Sequence, residues 1–90
     1  MKYFAVFLPM KDQEKSSTFR NDHLNFLSDL RNKGTVFMNG KFSDGAGGLV
    51  IYTGDSLEEV TKIVKTDPYI IHGARDYEIH EWEMVSNHNF

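Results

Sequence analysis

Two rhythms of apolar and polar positions alternate along this 90-residue chain. Lys2–Leu8 (KYFAVFL) is a short aromatic and β-branched run closed by Pro9, which predicts a strand. Thr35–Asn39 (TVFMN), Leu49–Thr53 (LVIYT) and Asp76–Met84 (DYEIHEWEM) predict three more. A helical rhythm fills the first gap. It starts at Ser16, Ser17 or Thr18 as N-cap and runs to Lys33, with Gly34 just past its end. A second helix opens on the capping box Ser56-Leu57-Glu58-Glu59, places Leu57, Val60 and Val64 at helical spacing beside Ile63, and stops at Pro68. Residues 40–48 (GKFSDGAGG) form a glycine-rich loop with Asp44-Gly45 as a turn signal, and the last six residues read as a tail.

The order is βαββαβ, so the expected fold class is α+β: a ferredoxin-like, four-stranded antiparallel sheet in the order 4-1-3-2. The apolar pattern tests this separately. The first strand is apolar on both faces (Phe4, Val6, Leu8 against Tyr3, Ala5, Phe7), and so is the third. Strands apolar on both faces belong in the middle of a sheet covered on both sides. Two helices cover only one face. The simplest cover for the other is a second copy of the sheet, which predicts a homodimer of the dimeric α/β barrel type.

The first helix contains an anomaly, FRNDHLNFL at Phe19–Leu27. On a helical projection Phe19, Arg20, His23, Leu24, Phe26, Leu27 and Leu30 share an arc of about 160°. His23 lies near its centre and Arg20 inside its span. Two readings stay open. His23 is a core histidine bonded to a backbone carbonyl while Arg20 reaches past the sheet edge, or the two belong to a site. The stretch TDPYIIHG is equally double. Asp67 can cap a short turn with Pro68 at its first position, or it can orient His23 for proton transfer. Spacing does not show that the two residues meet.

Composition narrows the partners. The formal charge is −3 with no basic stripe, which argues against nucleic acid. Ninety residues suit one domain, and a chain this short buries only about 60% of its unfolded surface. No cysteine is present to staple it, so oligomerisation is the remaining device. The N-terminus lacks a signal-peptide h-region and no stretch reaches a membrane span, so the expected setting is the cytoplasm. The glycines of the loop match no phosphate-binding fingerprint. His72, His80 and His88 show no metal spacing, and His80 shares a strand face with Trp82. No motif calls for a cofactor.

Taken in order, KYFAVFL, Arg20-x-x-His23 with Leu24 and Leu27, Gly34 and Gly40 around TVFMN, DGAGG, Ser56–Glu59, Asp67-Pro68-Tyr69 with Gly73, and YEIHEW resemble the YciI-like (YCII-related) family over roughly Met1–Glu83. The resemblance implies a ferredoxin-like subunit in a dimeric barrel similar to muconolactone isomerase. It implies a His–Asp acid–base dyad at His23 and Asp67. The family includes a dehydrochlorinase of a chlorinated hydroxyhydroquinone. The expected function is therefore a small-molecule lyase or isomerase acting on a cyclic or aromatic ligand. Arg20, Phe42, Asp44 and Tyr69 are the candidate substrate-binding residues. The alternatives are a non-catalytic ligand-binding or interaction module and a cofactor-free oxygenase.

Overall fold

A computed structural model of the chain describes residues 1–87, so His88 and the end of the expected tail lie outside the described residues. The strands are β1 (Lys2–Pro9), β2 (Val36–Lys41), β3 (Gly47–Gly54) and β4 (Glu78–Glu81). The helices are α1 (Gln13–Thr18), α2 (Arg20–Asn32), α3 (Leu57–Val64) and α4 (Pro68–Ile71). The sheet is antiparallel in the order β2-β3-β1-β4, as expected.

Register divides the side chains between two faces. Phe4, Val6 and Leu8 stand opposite Tyr52, Val50 and Gly48, and they turn toward the helices. There they pack with Val36, with Leu27 of α2 and with Val60 and Val64 of α3. Each buried side chain of this size contributes about 1.5–3 kcal/mol. Tyr3, Ala5 and Phe7 point the other way with Leu49, Ile51 and Thr53. No helix covers them, and Met38, Phe42 and Trp82 stand exposed. Edge-on ring contacts pair Tyr3 with Phe37 and Phe7 with Phe42.

Several boundaries differ from expectation. The first helix is two helices. Asp12 caps α1 by accepting the Lys15 N–H at 2.9 Å. α2 follows through Phe19, which offers no side-chain cap. It needs none from Ser16, Ser17 or Thr18, because helical bonds cross the junction from Phe19 N–H to the Lys15 carbonyl and from His23 N–H to Phe19. α2 closes as expected at Gly34, whose φ of 82° lets Gly34 and Thr35 donate back to Arg31 and Leu30. Ser56 caps α3 at 3.1 Å, but Glu59 reaches the Asp55 N–H instead of its own cap residue. β4 is shorter than Asp76–Met84. Phe4 opposes Glu81, so β1 begins too late to partner residues much beyond Trp82. β2 and β3 are longer, and Gly47 sits where a Cβ would collide with the Leu8 carbonyl.

Candidate functional site

His23 projects from the second turn of α2 toward the start of α4. Its Nδ1 lies 2.8 Å and 2.9 Å from the two carboxylate oxygens of Asp67. The same Oδ1 accepts the Tyr69 N–H at 2.9 Å, with Pro68 at the first position of α4. Asp67 thus caps a turn and contacts an imidazole with the same carboxylate. An ionised carboxylate only accepts hydrogen bonds, so against an ionised Asp67 the Nδ1 is the donor. Asp67 is fully buried and His23 nearly so.

Two ring pairs fasten α2 to α4. The His23 imidazole stacks on the Tyr69 ring at 3.9 Å and 12°. One turn earlier, Phe19 stacks on His72 at 3.8 Å and 3°. His72, which had no role in the sequence, is a packing partner. The Tyr69 hydroxyl donates to the Ser16 carbonyl at 3.1 Å, so its ring is a platform with the polar end already engaged. Burial pushes the Tyr69 phenol above its ordinary pKa, partly opposed by the nearby charges of Arg75 and Arg20. Burial, and then the charge of Asp67, do the same to Tyr52.

The opposite edge of the imidazole faces a cavity. His23, Tyr69 and Arg20 line a space of about 470 Å³ between α2, the ends of β1 to β3 and the chain after α4. Nε2 of His23 has no protein partner among the described residues, where no buried side-chain polar atom is left unpaired. This nitrogen is therefore accessible from the cavity.

Four of the six candidate residues come together: His23, Asp67, Arg20 and Tyr69. Phe42 and Asp44 do not join them. Phe42 lines a separate cleft of about 260 Å³ on the uncovered sheet face. The Asp44 carboxylate accepts the Ala46 N–H at 2.9 Å and shapes the hairpin turn. Side chains alternate faces along a strand. Lys41, paired with Gly48, lies on the helix side, so Phe42 falls on the other. Arg75 was missed. No periodicity marks it, and it reaches the cavity because Gly73, at a φ of 72°, turns the chain back after α4. Among the described residues no group of three or more His, Asp or Glu side chains is placed to hold a metal. No helix among them is long and apolar enough to cross a membrane.

Comparison with known proteins agrees with this fold. A family model described as the YCII-related domain matches residues 1–83. The uncharacterized protein YjpA of Bacillus subtilis is 32% identical over 82 residues, covering 91% of this chain and 96% of its own. Among solved structures, a 5-chloro-2-hydroxyhydroquinone dehydrochlorinase (TftG) from Burkholderia phenoliruptrix superposes with a TM-score of 0.76. It is 19% identical, and the match covers 90% of this chain and 93% of that one. That protein was solved in complex with 2,5-dihydroxybenzoquinone.

Proposed function

The chain belongs to the YCII-related family, and from that premise we propose that it is a small-molecule lyase or isomerase driven by a His23–Asp67 acid–base dyad. One observation carries this reading. A buried carboxylate holds Nδ1 at 2.8 Å while Nε2 is left facing the 470 Å³ cavity. In the proposed step Nε2 takes a proton from a ring carbon or hydroxyl of a cyclic substrate. The released electron pair expels a leaving group with its bonding pair in a lyase step. In an isomerase step it shifts a double bond, and the imidazolium returns the proton to another carbon. Asp67 fixes the tautomer and stabilises the imidazolium. Arg20 faces the developing oxyanion, which its planar fork suits. The fold shared with a dehydrochlorinase supports the class of chemistry.

The same proposal includes a homodimer through the uncovered sheet face. Its support is the apolar surface carried by Tyr3, Phe7, Leu49 and Met38 in an otherwise closed fold. Sedimentation at micromolar concentration tests it, and a monomer there rejects it.

The dyad is tested in two parts. Long-range ¹H–¹⁵N spectra at alkaline pH should show His23 as the Nδ1-protonated tautomer, with Asp67→Asn losing that preference. Chloride release from 5-chloro-2-hydroxyhydroquinone should fall about 10²–10⁴-fold in His23→Asn, the usual worth of a positioned general base. A mixed tautomer in the wild type removes the dyad whatever the substrate. Turnover that survives His23→Asn removes the catalytic role and favours a binding module.

A further inference from the structure

The cavity is charged against the balance of the molecule. The chain has 13 acidic and 10 basic side chains. Among the residues lining the cavity there is no Asp or Glu, while Arg20, Lys41 and Arg75 all line it. None of these three has a carboxylate partner among the described residues. Unpaired cations around a concavity raise its potential and attract anions.

Arg75 is the best held of the three. Its Nε donates to Ser16 Oγ at 3.1 Å and its Nη1 to the Leu8 carbonyl at 3.3 Å. Its guanidinium carbon lies 4.6 Å from the centre of the Tyr69 ring, the ring on which His23 stacks. These contacts leave Nη2 without a protein partner among the described residues. Because no buried polar side-chain atom there is left unpaired, Nη2 is accessible. Gly48 keeps the neighbouring space open. A Cβ there would press to 3.1 Å from the Gly40 carbonyl oxygen and lie 3.9 Å from Nη1. A guanidinium fixed in this way is preorganised for a carboxylate or phenolate oxygen. Arg20 supplies a second cation at the start of α2, where the helix dipole disfavours one.

We infer that Arg75 is a specificity-determining residue: with Arg20 it selects a small ring substrate bearing an anionic oxygen, carboxylate or phenolate, and holds it beside His23. This rests on the proposed function for where the substrate lies, but anion selection is a binding property and needs no turnover to be tested. Benzoate and its neutral isostere benzamide are suitable probes, titrated into ¹⁵N-labelled protein while the Gly48 and Tyr69 amides are followed.

Benzoate should give saturable shifts with a dissociation constant at least ~10-fold below that of benzamide, a lower bound for one charge-assisted contact. Arg75→Gln should abolish the preference, Arg75→Lys should restore part of it, and Arg20→Gln should weaken it. His23→Asn should keep the preference, even if the proton-transfer proposal is wrong. Equal binding of the two probes, no saturable shift with benzoate, or a preference that survives Arg75→Gln overturns the inference. If Arg75→Gln does not give a folded spectrum, the Arg75 Nε–H resonance of the wild type decides. It moves with benzoate but not benzamide if Arg75 reads the anion, and it stays still if it does not.

Discussion

Two histidine–carboxylate pairs lie on opposite sides of the sheet among the described residues, one between α2 and α4 and one on β4, and their surroundings differ. His23 and Asp67 meet at 2.8 Å with 10% and 1% of their side chains exposed. His80 and Glu78 meet at 2.9 Å on β4 with 69% and 60% exposed. The distances are the same within the precision of such contacts, so distance does not separate them. The buried carboxylate also accepts a backbone N–H, and its imidazole lies against an aromatic ring. The exposed pair faces solvent, where water and salt compete for both partners and an ion pair is worth about 0–1 kcal/mol. A short histidine–carboxylate contact is therefore evidence of a site only where the fold has removed the alternatives to it.

The largest expected effect is that of Asp67→Ala. It strands a buried imidazole N–H at a cost of about 1–3 kcal/mol and removes the cap of α4, worth about 1 kcal/mol. Thermal denaturation should show a loss of roughly 10 °C or more for a domain of this size. A shift of only a degree or two would make the two pairs equivalent.

A smaller effect should appear at alkaline pH. The Tyr52 phenol is held above its ordinary value of 10.0, first by burial and then by the Asp67 charge. A raised folded-state value means that the unfolded chain loses this proton first. The stabilisation is complete below pH 10 and is lost as pH rises beyond it. Denaturation midpoints measured from pH 8 to 12 should fall above 10 in the wild type, and less steeply in Tyr52→Phe. An unchanged slope in the variant would mean that neither burial nor the carboxylate acts on this hydroxyl.

The smallest effect is that of His80→Ala, which should leave stability within about 0.5 kcal/mol in protein dilute enough to be monomeric. If the effect grows to several times that at high concentration, the uncovered face has been buried against another copy. Both pairs would then be enclosed in the assembly.

Most of the fold is legible in the sequence because its signals are local. Alternating β-branched and aromatic residues mark the strands, Gly34 marks the end of α2, and Ser56 marks the start of α3. The short helix α1 is not legible. QEKSST carries no apolar stripe, and its cap, Asp12, stands in a polar run that also reads as loop. At the site, the face that carries His23 and Arg20 follows from helical spacing. The meeting with Asp67, 44 residues away, does not, because it depends on how α2 and α4 dock. Phe42 and Asp44 are candidate substrate-binding residues in the sequence, yet they stay away from His23. β2 runs two residues past its expected end and β3 begins two residues early, so Phe42 follows the strand alternation onto the opposite face and Asp44 falls in the turn. Arg75 reaches the cavity through a left-handed glycine and a ring contact, and neither leaves a periodic trace.

The place of β1 sets the order in which the His23–Asp67 contact can form. The first strand made is a central one, flanked by Gly47–Gly54 and by Glu78–Glu81. During synthesis its eight residues wait for partners that emerge dozens of positions later, while the β2–β3 hairpin can close as soon as it appears. Pairings between distant segments are the slow ones. His23 leaves the ribosome long before Asp67, and it remains an ordinary solvated imidazole until the last third of the chain arrives.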